Sequence, residues 1–308
     1  MKQYLDLLKD ILENGEERND RTGVGTISVF GRQLRFKMKD GFPAVTTKSL
    51  ALNAVVSELL WFLEGSTNEH RLAEIKNDNK SYDELDEKER KTIWTLNYEN
   101  QGKSLGYTDG ELGSIYGYNW RHWKSLRGRN SNLGKCVTYL ISEFDQITNI
   151  IKEIKENPNS RRLLVNSWNV PELENMSLPP CHYSFQFYVS GKNHENLSLM
   201  WNQRSIDCAC GLPFNIASYA LLLNIVAKMT NKIPLELIGN LGDCHIYKNH
   251  IEGVREQIKR TPHKLPTLKL PDIDWNRDID EILKSVKTSD FKLENYEHDP
   301  KIIYPMAV

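Results

Sequence analysis

The segment LSLMWNQRSIDCACGLPFNIASYALLLNIVAKM, residues 197–229, decides the predicted fold. Residues 197–203 alternate like a strand, and so does the preceding segment 183–189, so we predict that the two are adjacent in a sheet. Residues 214–229 have the pattern of a long, nearly all-apolar helix. Because a helix that is apolar on every side must be covered on every side, we predict that it lies at the centre of the protein.

The rest of the chain adds helices and a further strand around this centre. Helix patterns cover three segments, residues 2–14, 51–65 and 144–156, and residues 25–38 alternate like a strand. The polar, charge-rich segment 67–112 is predicted to be a small exposed helical insert. The chain shows no internal repeat and no flexible linker. We therefore predict one α+β domain, residues 1–308, built on a large sheet.

The composition is typical of a globular protein. Of the 308 residues, 39% are hydrophobic and 26% are charged, and the formal net charge is −1. This balance gives no overall field to attract nucleic acid or an acidic membrane surface, so neither is predicted as a partner. No apolar run approaches the roughly 20 residues that a membrane helix needs. An anionic substrate would have to be bound by locally placed arginines.

The cysteines and the amino-terminal segment predict a cytoplasmic protein. The cysteine count is five, and the start MKQYLDLLKD has the pattern of an amphipathic helix rather than of a signal peptide. An odd count without a signal favours reduced thiols. Cys208 and Cys210 lie one residue apart with no second histidine or cysteine pair nearby, so no metal site is predicted.

Cys181 is the first candidate catalytic residue. It lies in LPPCHYSFQFY, residues 178–188, after two prolines and before a predicted strand. A cysteine is an effective nucleophile only as the thiolate, which needs nearby positive charge or hydrogen-bond donors. The alternative is a buried, inert cysteine, the commonest fate of a cysteine outside disulfides.

Four arginines beside turn residues or strand ends favour the catalytic interpretation. They are Arg21 in NDRTG, Arg161 and Arg162 after NPNS, and Arg204 before Ser205. Guanidinium groups in such places suit a bidentate grip on a phosphate. Any one of them could be a solvated surface arginine, but that alternative is weaker for four in the same setting.

Over essentially its whole length the chain resembles the thymidylate synthase family. The matching segments are DRTGVGT (20–26), FPAVTTK (42–48), ELLWFLEGSTN (58–68), LPPCH (178–182), QRSID (203–207), GLPFNIASYALL (211–222), GDCHIYKNH (242–250) and MAV (306–308). Segments in this order and at this spacing are far more specific than a single motif. The resemblance implies a large mixed sheet packed by helices.

The resemblance also implies an activity. Family members transfer one carbon from 5,10-methylene-tetrahydrofolate to carbon 5 of a pyrimidine nucleotide, after a thiolate adds at carbon 6. Cys181 corresponds to that nucleophile, and Tyr116 to a tyrosine that helps to remove the carbon 5 proton. Glu58 corresponds to a carboxylate that acts through water on the 4-oxygen, and its apolar neighbours could raise its pKa. Taken alone, Glu58 could be a surface glutamate on a helix.

The other implied residues bind the two substrates and a second copy of the chain. The expected dUMP site is Arg21, Arg161, Arg162, Gln203, Arg204, Ser205, Asp207, Asn215, His245 and Tyr247. Within it the arginines and Ser205 bind the phosphate, and His245 and Tyr247 bind the ribose 3′-hydroxyl. The expected folate site is Lys48, Ile93, Trp94, Asp207, Gly211, Phe214 and Val308. A homodimer is implied too, with Arg161 and Arg162 reaching the partner's phosphate.

Asn215 is predicted to select the base. A neutral amide offers a donor to the 4-oxygen of uracil and an acceptor to the ring N–H. A carboxylate at this position would instead accept from the amine of cytosine, and the dCMP-using members of the family carry aspartate here. The chain is therefore predicted to use dUMP.

Five residues depart from the synthase pattern on the folate side of the site. They are Thr95, Ser114, Asn202, Ala209 and Cys210, mostly smaller or more polar than the usual residues. The phage dCMP hydroxymethylases, which share the fold, are similar at several of these positions, and they add water to the methylene intermediate. We therefore predict a dUMP hydroxymethylase. The alternative is a thymidylate synthase in which these residues have changed by neutral drift, without a change of activity. An inactive nucleotide-binding member of the family is a remote third alternative, against which the intact Cys181, Glu58 and Asn215 argue.

Overall fold

The structure, a computed structural model, describes residues 1–20, 23–130 and 137–305, with side chains described outside 126–130 and 137–140. Its strands are β1 (Glu16–Arg18), β2 (Thr26–Lys37), β3 (Trp123–Asn130), β4 (Val137–Phe144), β5 (Leu164–Asn166), β6 (His182–Ser190), β7 (Asn196–Asp207), β8 (Ile233–Tyr247), β9 (Thr267–Lys269) and β10 (Lys292–Glu294).

Its α-helices are α1 (Lys2–Asn14), α2 (Leu52–Glu64), α3 (Glu69–Lys76), α4 (Glu87–Arg90), α5 (Thr95–Asn97), α6 (Tyr116–Arg121), α7 (Gln146–Glu156), α8 (Leu212–Met229), α9 (Ile251–Gln257) and α10 (Ile279–Ser285). Single 3-10 turns cover Met38–Asp40, Tyr82–Glu84, Lys103–Leu105, Val170–Asn175, Lys248–His250 and Thr288–Asp290, and Tyr98–Gly102 is a π-helical turn.

A six-stranded mixed sheet with strand order β1-β2-β8-β7-β6-β5 organises the protein. β7 and β8 are parallel, and every other adjacent pair in this sheet is antiparallel. Parallel neighbours need a crossover connection, and α8 provides it. The segment 197–229 thus contains most of the parallel strand β7 and its crossover helix. The predicted α+β fold, a large mixed sheet packed by helices, is confirmed.

Helix α8 is the core helix that its composition predicts. It packs against β7, β8 and α2, and most of its residues are buried. Its length and composition would allow it to cross a membrane, but 78% of the apolar window is buried inside the protein. Trp201 of β7 stacks on Tyr219 of α8, with ring centroids 5.4 Å apart and planes 8° apart. The helix is therefore covered by protein, and its first turn reaches the end of β7.

Helix α2 places Glu58 inside a hydrophobic layer. Its neighbours Leu59, Leu60 and Trp61 are buried. The helix ends at Gly65, whose φ of 74° is in the left-handed region. A Cβ on Gly65 would come within 2.8 Å of Arg121, so both conformation and space require glycine there.

The segment 67–112 is helical, as predicted, but its inner side belongs to the core. It contains α3, α4 and α5, and Leu72, Ile75 and Trp94 are at most 4% exposed. The segment is therefore not exposed throughout, because these apolar residues pack on the rest of the protein. Its identification as an insert within one domain stays a prediction.

The predicted helix over residues 144–156 begins two residues later than expected. Phe144 ends β4, and the helix starts after Asp145, whose carboxylate accepts the backbone N–H of Thr148 at 3.0 Å. The side chain of Asp145 thus caps the helix and fixes its start. The sequence pattern placed Phe144 on the apolar face of the helix, where it does not lie.

The face of the large sheet turned away from α8 carries a row of polar side chains. Gln33 of β2 donates to Asn240 of β8 at 2.8 Å, Asn240 donates to Asn202 of β7 at 3.0 Å, and Asn202 donates to Ser184 of β6 at 3.0 Å. We call this the outer face. Three large apolar side chains near it are exposed: Phe30 (80%), Tyr188 (67%) and Leu164 (47%).

Candidate active site

Cys181 lies immediately before β6 and opposite Arg204 of β7. The backbone N–H of Arg204 donates to the carbonyl of Cys181 at 2.8 Å, and its Nη2 lies 3.9 Å from Sγ. On the other side, the backbone N–H of Cys181 donates to the hydroxyl oxygen of Tyr116 at 2.7 Å. The thiol is partly exposed. A fixed guanidinium beside an accessible sulfur favours the thiolate form.

The two prolines before Cys181 hold Arg204. Nε of Arg204 donates to the carbonyl of Pro180 at 3.0 Å, and Nη2 donates to that of Pro179 at 3.1 Å. The guanidinium also packs on the ring of Trp168, with its carbon 5.3 Å from the ring centroid. Because proline restricts the backbone, these carbonyls present fixed acceptors. The stiff segment thus orients the cation that faces the sulfur.

His182, next to Cys181, does not supply positive charge. Its Nδ1 lies 2.7 Å from the hydroxyl of Tyr219, and its ring stacks on Tyr116 at 4.3 Å. Burial lowers the pKa of His182 to about 3, so the imidazole is neutral. Sequence reasoning assigned no role to His182 or to Trp168. The contact of His182 with Tyr219 and that of Trp168 with Arg204 each join residues far apart in the sequence, so no local pattern predicts them.

A chain of hydrogen bonds fixes the orientation of Asn215. The indole N–H of Trp201 donates to Oε1 of Gln203 at 3.1 Å, and Nε2 of Gln203 donates to Oδ1 of Asn215 at 3.1 Å. An indole N–H can only donate, so it determines which end of the buried Gln203 amide faces Asn215. Nε2 of Gln203 also donates to the carbonyl of Ser205 at 3.1 Å. Because Oδ1 of Asn215 faces Gln203, the donor Nδ2 lies on the side of the amide away from Gln203.

Glu58 lies beside a group of packed aromatic side chains. Its Oε1 accepts the indole N–H of Trp94 at 2.8 Å. Burial raises the pKa of Glu58 to about 7, and the hydrogen bond from Trp94 opposes this rise. Trp94 packs edge-on against Tyr116 at 5.9 Å and Trp61 at 5.5 Å. A carboxyl group with a pKa near 7 can both give and take a proton at neutral pH.

His245 and Tyr247 lie together at the end of β8. Nδ1 of His245 is 3.2 Å from a carboxylate oxygen of Asp243. The rings of His245 and Tyr247 pack edge-on, with centroids 5.3 Å apart. The pKa of Asp243 is lowered, chiefly by the hydrogen bond with His245. His245 pairs in register with Asp207 of β7. The two residues predicted to bind the ribose are therefore adjacent and next to the β7 end.

Asp207 organises the loop between β7 and α8. Its Oδ1 accepts the backbone N–H groups of Ala209 at 2.9 Å and Cys210 at 3.0 Å, and its Oδ2 lies 3.7 Å from Nδ1 of His250. His250 is 1% exposed, and no hydrogen bond to its Nδ1 occurs among the described residues. These contacts fix the loop that leads into Gly211 at the start of α8.

Lys48, in the segment before α2, is a buried cation that contacts the same loop. Its Nζ donates to the carbonyl of Ala209 at 2.7 Å and lies 4.5 Å from the centroid of the Tyr304 ring. Burial lowers the pKa of Lys48 to about 8, while burial raises the pKa of the Cys210 thiol. Of the other residues predicted to bind folate, Phe214 is half-buried in the first turn of α8, and Ile93 is 49% exposed.

The five residues predicted to determine the product do not form one wall. Asn202 lies on the outer face, bonded to Ser184 and Asn240, whereas its neighbour Gln203 points to the side of Asn215. Successive residues of a strand point to opposite faces, so Asn202 points away from Asn215, and its role in product choice stays a prediction. Thr95 donates to Glu69 at 3.1 Å, and Ser114 contacts the carboxylate of Glu172 at 3.4 Å.

Ala209 and Cys210 are the two of the five that lie on the loop before α8. Ala209 is fully buried and Cys210 is half-buried. Their backbone groups bind Lys48 and Asp207, as described above, so their small side chains leave the loop itself well fixed. The polar side chains at the other three positions, Thr95, Ser114 and Asn202, are hydrogen-bonded to other protein groups.

Arg161 and Arg162 are exposed and precede the edge strand β5. They are on the same edge of the sheet as Leu164, away from β1 and β2. Arg21 and Val308, also predicted to bind substrates, lie outside the described residues. Within residues 1–20, 23–130 and 137–305, no group of three or more histidine, cysteine, aspartate or glutamate side chains could hold a metal ion.

Comparisons with known proteins agree over the whole chain. A family model described as "Thymidylate synthase" matches residues 2–308. A protein of Escherichia phage T5, "Probable thymidylate synthase", is 47% identical over 310 residues, and "Thymidylate synthase" of Enterobacteria phage T4 is 46% identical over 315 residues. Both alignments cover 100% of each chain. The crystal structure of thymidylate synthase from T4 phage superposes with a TM-score of 0.83 at 47% identity, covering 100% of both chains.

Proposed function

The chain belongs to the thymidylate synthase family, and on that premise we propose that it converts dUMP and 5,10-methylene-tetrahydrofolate to dTMP and dihydrofolate. The observation that carries the proposal is the juxtaposition of Cys181 with Arg204 and Tyr116. The fixed orientation of the Asn215 amide adds support. This set of groups offers a thiolate, a cation for phosphate and a reader for the uracil edge.

The first chemical step is addition of the Cys181 thiolate to carbon 6 of dUMP. Electron density moves to carbon 5 and the 4-oxygen. Carbon 5 then forms a bond to the methylene carbon of the folate, while the bond between that carbon and one of the two folate nitrogens breaks and its electron pair stays on the nitrogen. Arg204, 3.9 Å from Sγ, favours the thiolate before addition. Its remaining donors suit the nucleotide phosphate. Arg204 thus joins nucleophile activation with substrate binding.

Asn215 selects uracil. Nδ2 donates to the 4-oxygen, and the second lone pair of Oδ1 accepts the ring N–H, since Gln203 occupies only the first. Trp201 and Gln203 hold this orientation from behind the amide. The neutral amide therefore matches uracil at both atoms, whereas the amine of cytosine would meet a donor.

Glu58 gives and takes protons at the 4-oxygen through water. Tyr116 keeps its own hydroxyl proton and helps to remove the carbon 5 proton by hydrogen bonding to the water that takes it. A carboxyl group with a pKa of about 7 is suited to both gain and loss of a proton at neutral pH. Tyr116 lies on the same side, with its hydroxyl oxygen 2.7 Å from the backbone nitrogen of Cys181.

Loss of the carbon 5 proton breaks the remaining bond between the methylene and a folate nitrogen and leaves an exocyclic methylene on the nucleotide. Hydride from tetrahydrofolate then adds to this methylene, which oxidises the folate to dihydrofolate. The electron pair of the double bond moves into the ring, expels the Cys181 thiolate from carbon 6 and releases dTMP.

The folate lies over the loop between β7 and α8, in this proposal. Asp207 binds the pterin ring, while Trp94, Phe214 and Lys48 line the site, with Ile93 and Gly211 at its borders. Support comes from the loop contacts of Asp207 and Lys48, which fix the backbone before α8. His245 and Tyr247 bind the ribose 3′-hydroxyl, and Ser205 with Arg204 binds the phosphate.

The active form is proposed to be a homodimer of single-domain chains in the cytoplasm. The outer face carries exposed apolar side chains, including Phe30 and Tyr188, as a second copy would cover. A cavity of about 520 Å³ on this face includes Gln203 and Arg204 in its lining, so the face reaches the site. Arg161 and Arg162 are exposed, which leaves them available to bind the partner's phosphate.

Formation of dTMP is preferred to the predicted formation of 5-hydroxymethyl-dUMP. The two relatives carry the names "Probable thymidylate synthase" and "Thymidylate synthase", and neither name refers to a hydroxymethylase. Three of the five residues that motivated the hydroxymethylase prediction have side chains bonded elsewhere: Thr95, Ser114 and Asn202. They therefore give little support for a water held beside the methylene.

Product analysis tests the proposal. The protein is incubated with dUMP and methylene-tetrahydrofolate, absorbance follows dihydrofolate, and mass spectrometry identifies the nucleotide. We expect dTMP and dihydrofolate in equal amounts. Hydroxymethyl-dUMP with tetrahydrofolate would restore the hydroxymethylase prediction, and binding of dUMP without any product would identify an inactive member of the family.

A further inference from the structure

Glu69 is a buried carboxylate outside the predicted site. It is the first residue of α3 and is 3% exposed. One of its oxygens, Oε2, lies 3.0 Å from the hydroxyl of Thr92 and 3.1 Å from the hydroxyl of Thr95. A buried carboxylate requires hydrogen-bond donors, and both hydroxyls come from one short turn. Glu69 therefore binds residues 92–95 at two points.

The direction of these hydrogen bonds is fixed by the backbone. The N–H of Thr92 donates to Oγ1 of Thr95 at 2.9 Å, and the N–H of Trp94 donates to Oγ1 of Thr92 at 3.0 Å. Each hydroxyl thus accepts from a backbone N–H and must give its own hydrogen to another acceptor. The nearest such acceptor is Oε2 of Glu69 in both cases, and the two hydroxyl oxygens also lie 3.4 Å from each other. The turn requires an acceptor at this point.

The turn carries the side chain that touches Glu58. Trp94 lies between the two threonines, is 4% exposed, and donates its indole N–H to Glu58 at 2.8 Å. A shift of this turn would move the indole nitrogen away from the Glu58 carboxylate. Glu69 is thus connected to Glu58 through the two threonine hydroxyls, the backbone N–H of Trp94 and its indole.

We infer that Glu69 is a positioning residue for the reaction: it accepts the hydroxyls of Thr92 and Thr95 and so holds the Trp94 indole on the carboxylate of Glu58. Glu69 does not contact substrate. The inference rests on the proposed function, because it assigns Glu69 an effect on the proton chemistry of Glu58. It also gives Thr95 a role in this turn in place of its predicted role in product choice.

The charged and titratable groups around both carboxylates are compatible with this role. Burial raises the pKa of Glu69, while the hydrogen bonds from Thr92 and Thr95 oppose this rise. His70 lowers this pKa and Glu99 raises it, both to a smaller extent. The hydroxyls of Tyr116 and Tyr219 face Glu58, and burial raises the pKa of each well above its ordinary range. Both tyrosines therefore stay neutral near pH 7. The donor that is hydrogen-bonded to the Glu58 carboxylate is the indole N–H of Trp94.

Substitutions at Glu69 separate the role of the acceptor from that of the charge. Glu69→Ala removes the acceptor and should lower kcat by about tenfold to a hundredfold, since a misplacement of about 1 Å can cost a hundredfold. Glu69→Gln keeps one carbonyl oxygen and should retain kcat within about threefold, because a neutral acceptor binds hydroxyls more weakly but in the same place. The KM for dUMP should change little, since its site does not include the turn.

A second test adds a carboxylate at position 95, next to Glu69, instead of removing the carboxylate of Glu69. The Thr95 hydroxyl oxygen is 3.1 Å from Oε2 of Glu69, so Thr95→Asp would put two carboxylates in contact. Two like charges about 3 Å apart cannot both ionise without a large penalty. Thr95→Asp should therefore lower kcat strongly in the natural protein. The double variant with Glu69→Gln should recover most of that loss, because the new amide can donate to Asp.

The experiment measures kcat, KM for dUMP and the pH dependence of kcat/KM for the natural protein and these variants. Glu74→Ala, which removes another carboxylate of α3 bonded to Arg71 and the backbone of Tyr82, controls for damage to the helix. In Glu69→Ala the limb of the pH profile assigned to Glu58 should move to higher pH, since the Trp94 hydrogen bond lowers the pKa of Glu58. Glu74→Ala should leave that limb in place.

Two outcomes would overturn the inference while leaving the proposed function intact. One is a Glu69→Ala protein with natural kcat and an unmoved pH profile. The other is a double variant as impaired as Thr95→Asp alone, which remains informative even if Glu69→Ala does not fold. A natural protein that makes no product from dUMP and methylene-tetrahydrofolate would contradict the proposed function itself.

Discussion

Exchange of the Asn215 amide for a carboxylate should move the preference of the enzyme from dUMP to dCMP. In Asn215→Asp, one carboxylate oxygen still accepts from Nε2 of Gln203, as Oδ1 does now at 3.1 Å. The other oxygen replaces Nδ2 and meets the 4-oxygen of uracil with a lone pair instead of a hydrogen. The same oxygen can accept a hydrogen bond from the amine of cytosine.

The expected loss of kcat/KM for dUMP follows from one hydrogen bond. The donor of position 215 to the 4-oxygen of uracil is replaced by an acceptor. An unmet buried acceptor costs about 1–3 kcal/mol, so kcat/KM for dUMP should fall by about 5-fold to 150-fold. The rest of the uracil contacts persist, because Trp201 and Gln203 hold the Asp side chain as they hold the amide. For dCMP the new acceptor removes a clash between two donors, and kcat/KM should rise by a comparable factor.

Competition between dUMP and dCMP in one reaction mixture measures the change directly. The ratio of the two products gives the ratio of kcat/KM values and does not depend on enzyme concentration. Trp201→Phe is a useful control, because it frees the Gln203 amide to rotate without adding charge. An unchanged product ratio in Asn215→Asp would refute the reasoning and show that another residue reads the base.

Three further outcomes are expected. Cys181→Ser should lose turnover but keep dUMP affinity in calorimetry, because a hydroxyl is a much poorer nucleophile than a thiol; normal turnover would remove Cys181 from the mechanism. Trp94→Phe removes the donor at 2.8 Å from Glu58, so the pKa of Glu58 should rise above about 7 and the corresponding limb of the pH profile should move to higher pH; an unmoved limb would contradict the assignment. Mixing inactive Cys181→Ser and Arg162→Glu proteins should restore part of the activity if Arg162 acts across a dimer, and a strictly monomeric protein in sedimentation would exclude this.

Much of the fold is encoded in local patterns. The apolar composition of residues 214–229 predicted a central helix, and α8 is that helix because no polar stripe is available to face water. The start of α7 was misplaced, since Phe144 fits an apolar helix face and a strand equally well. Only the cap at Asp145, together with the pairing of β4 with β3, decides between them. Parallel pairing of β7 with β8 depends on contacts distant in sequence.

The candidate site was predictable where the chemistry is local. Cys181 after two prolines and Arg204 before a serine were found from the sequence, and the structure brings them to 3.9 Å. The prediction for Asn202 took no account of strand alternation, which turns its side chain to the outer face, away from its neighbour Gln203. Glu69 was missed because its partners are more than twenty residues away along the chain. A buried carboxylate is recognisable only when its donors are known.

The fate of the hydride is the most direct test of the central claim. Methylene-tetrahydrofolate deuterated at carbon 6 is mixed with dUMP and excess enzyme, and nucleotide and folate products are identified by mass spectrometry after a single turnover. A synthase moves the hydride into the new methyl group, so we expect deuterium in dTMP and unlabelled dihydrofolate. The account would be contradicted by 5-hydroxymethyl-dUMP without deuterium, together with tetrahydrofolate that retains the label.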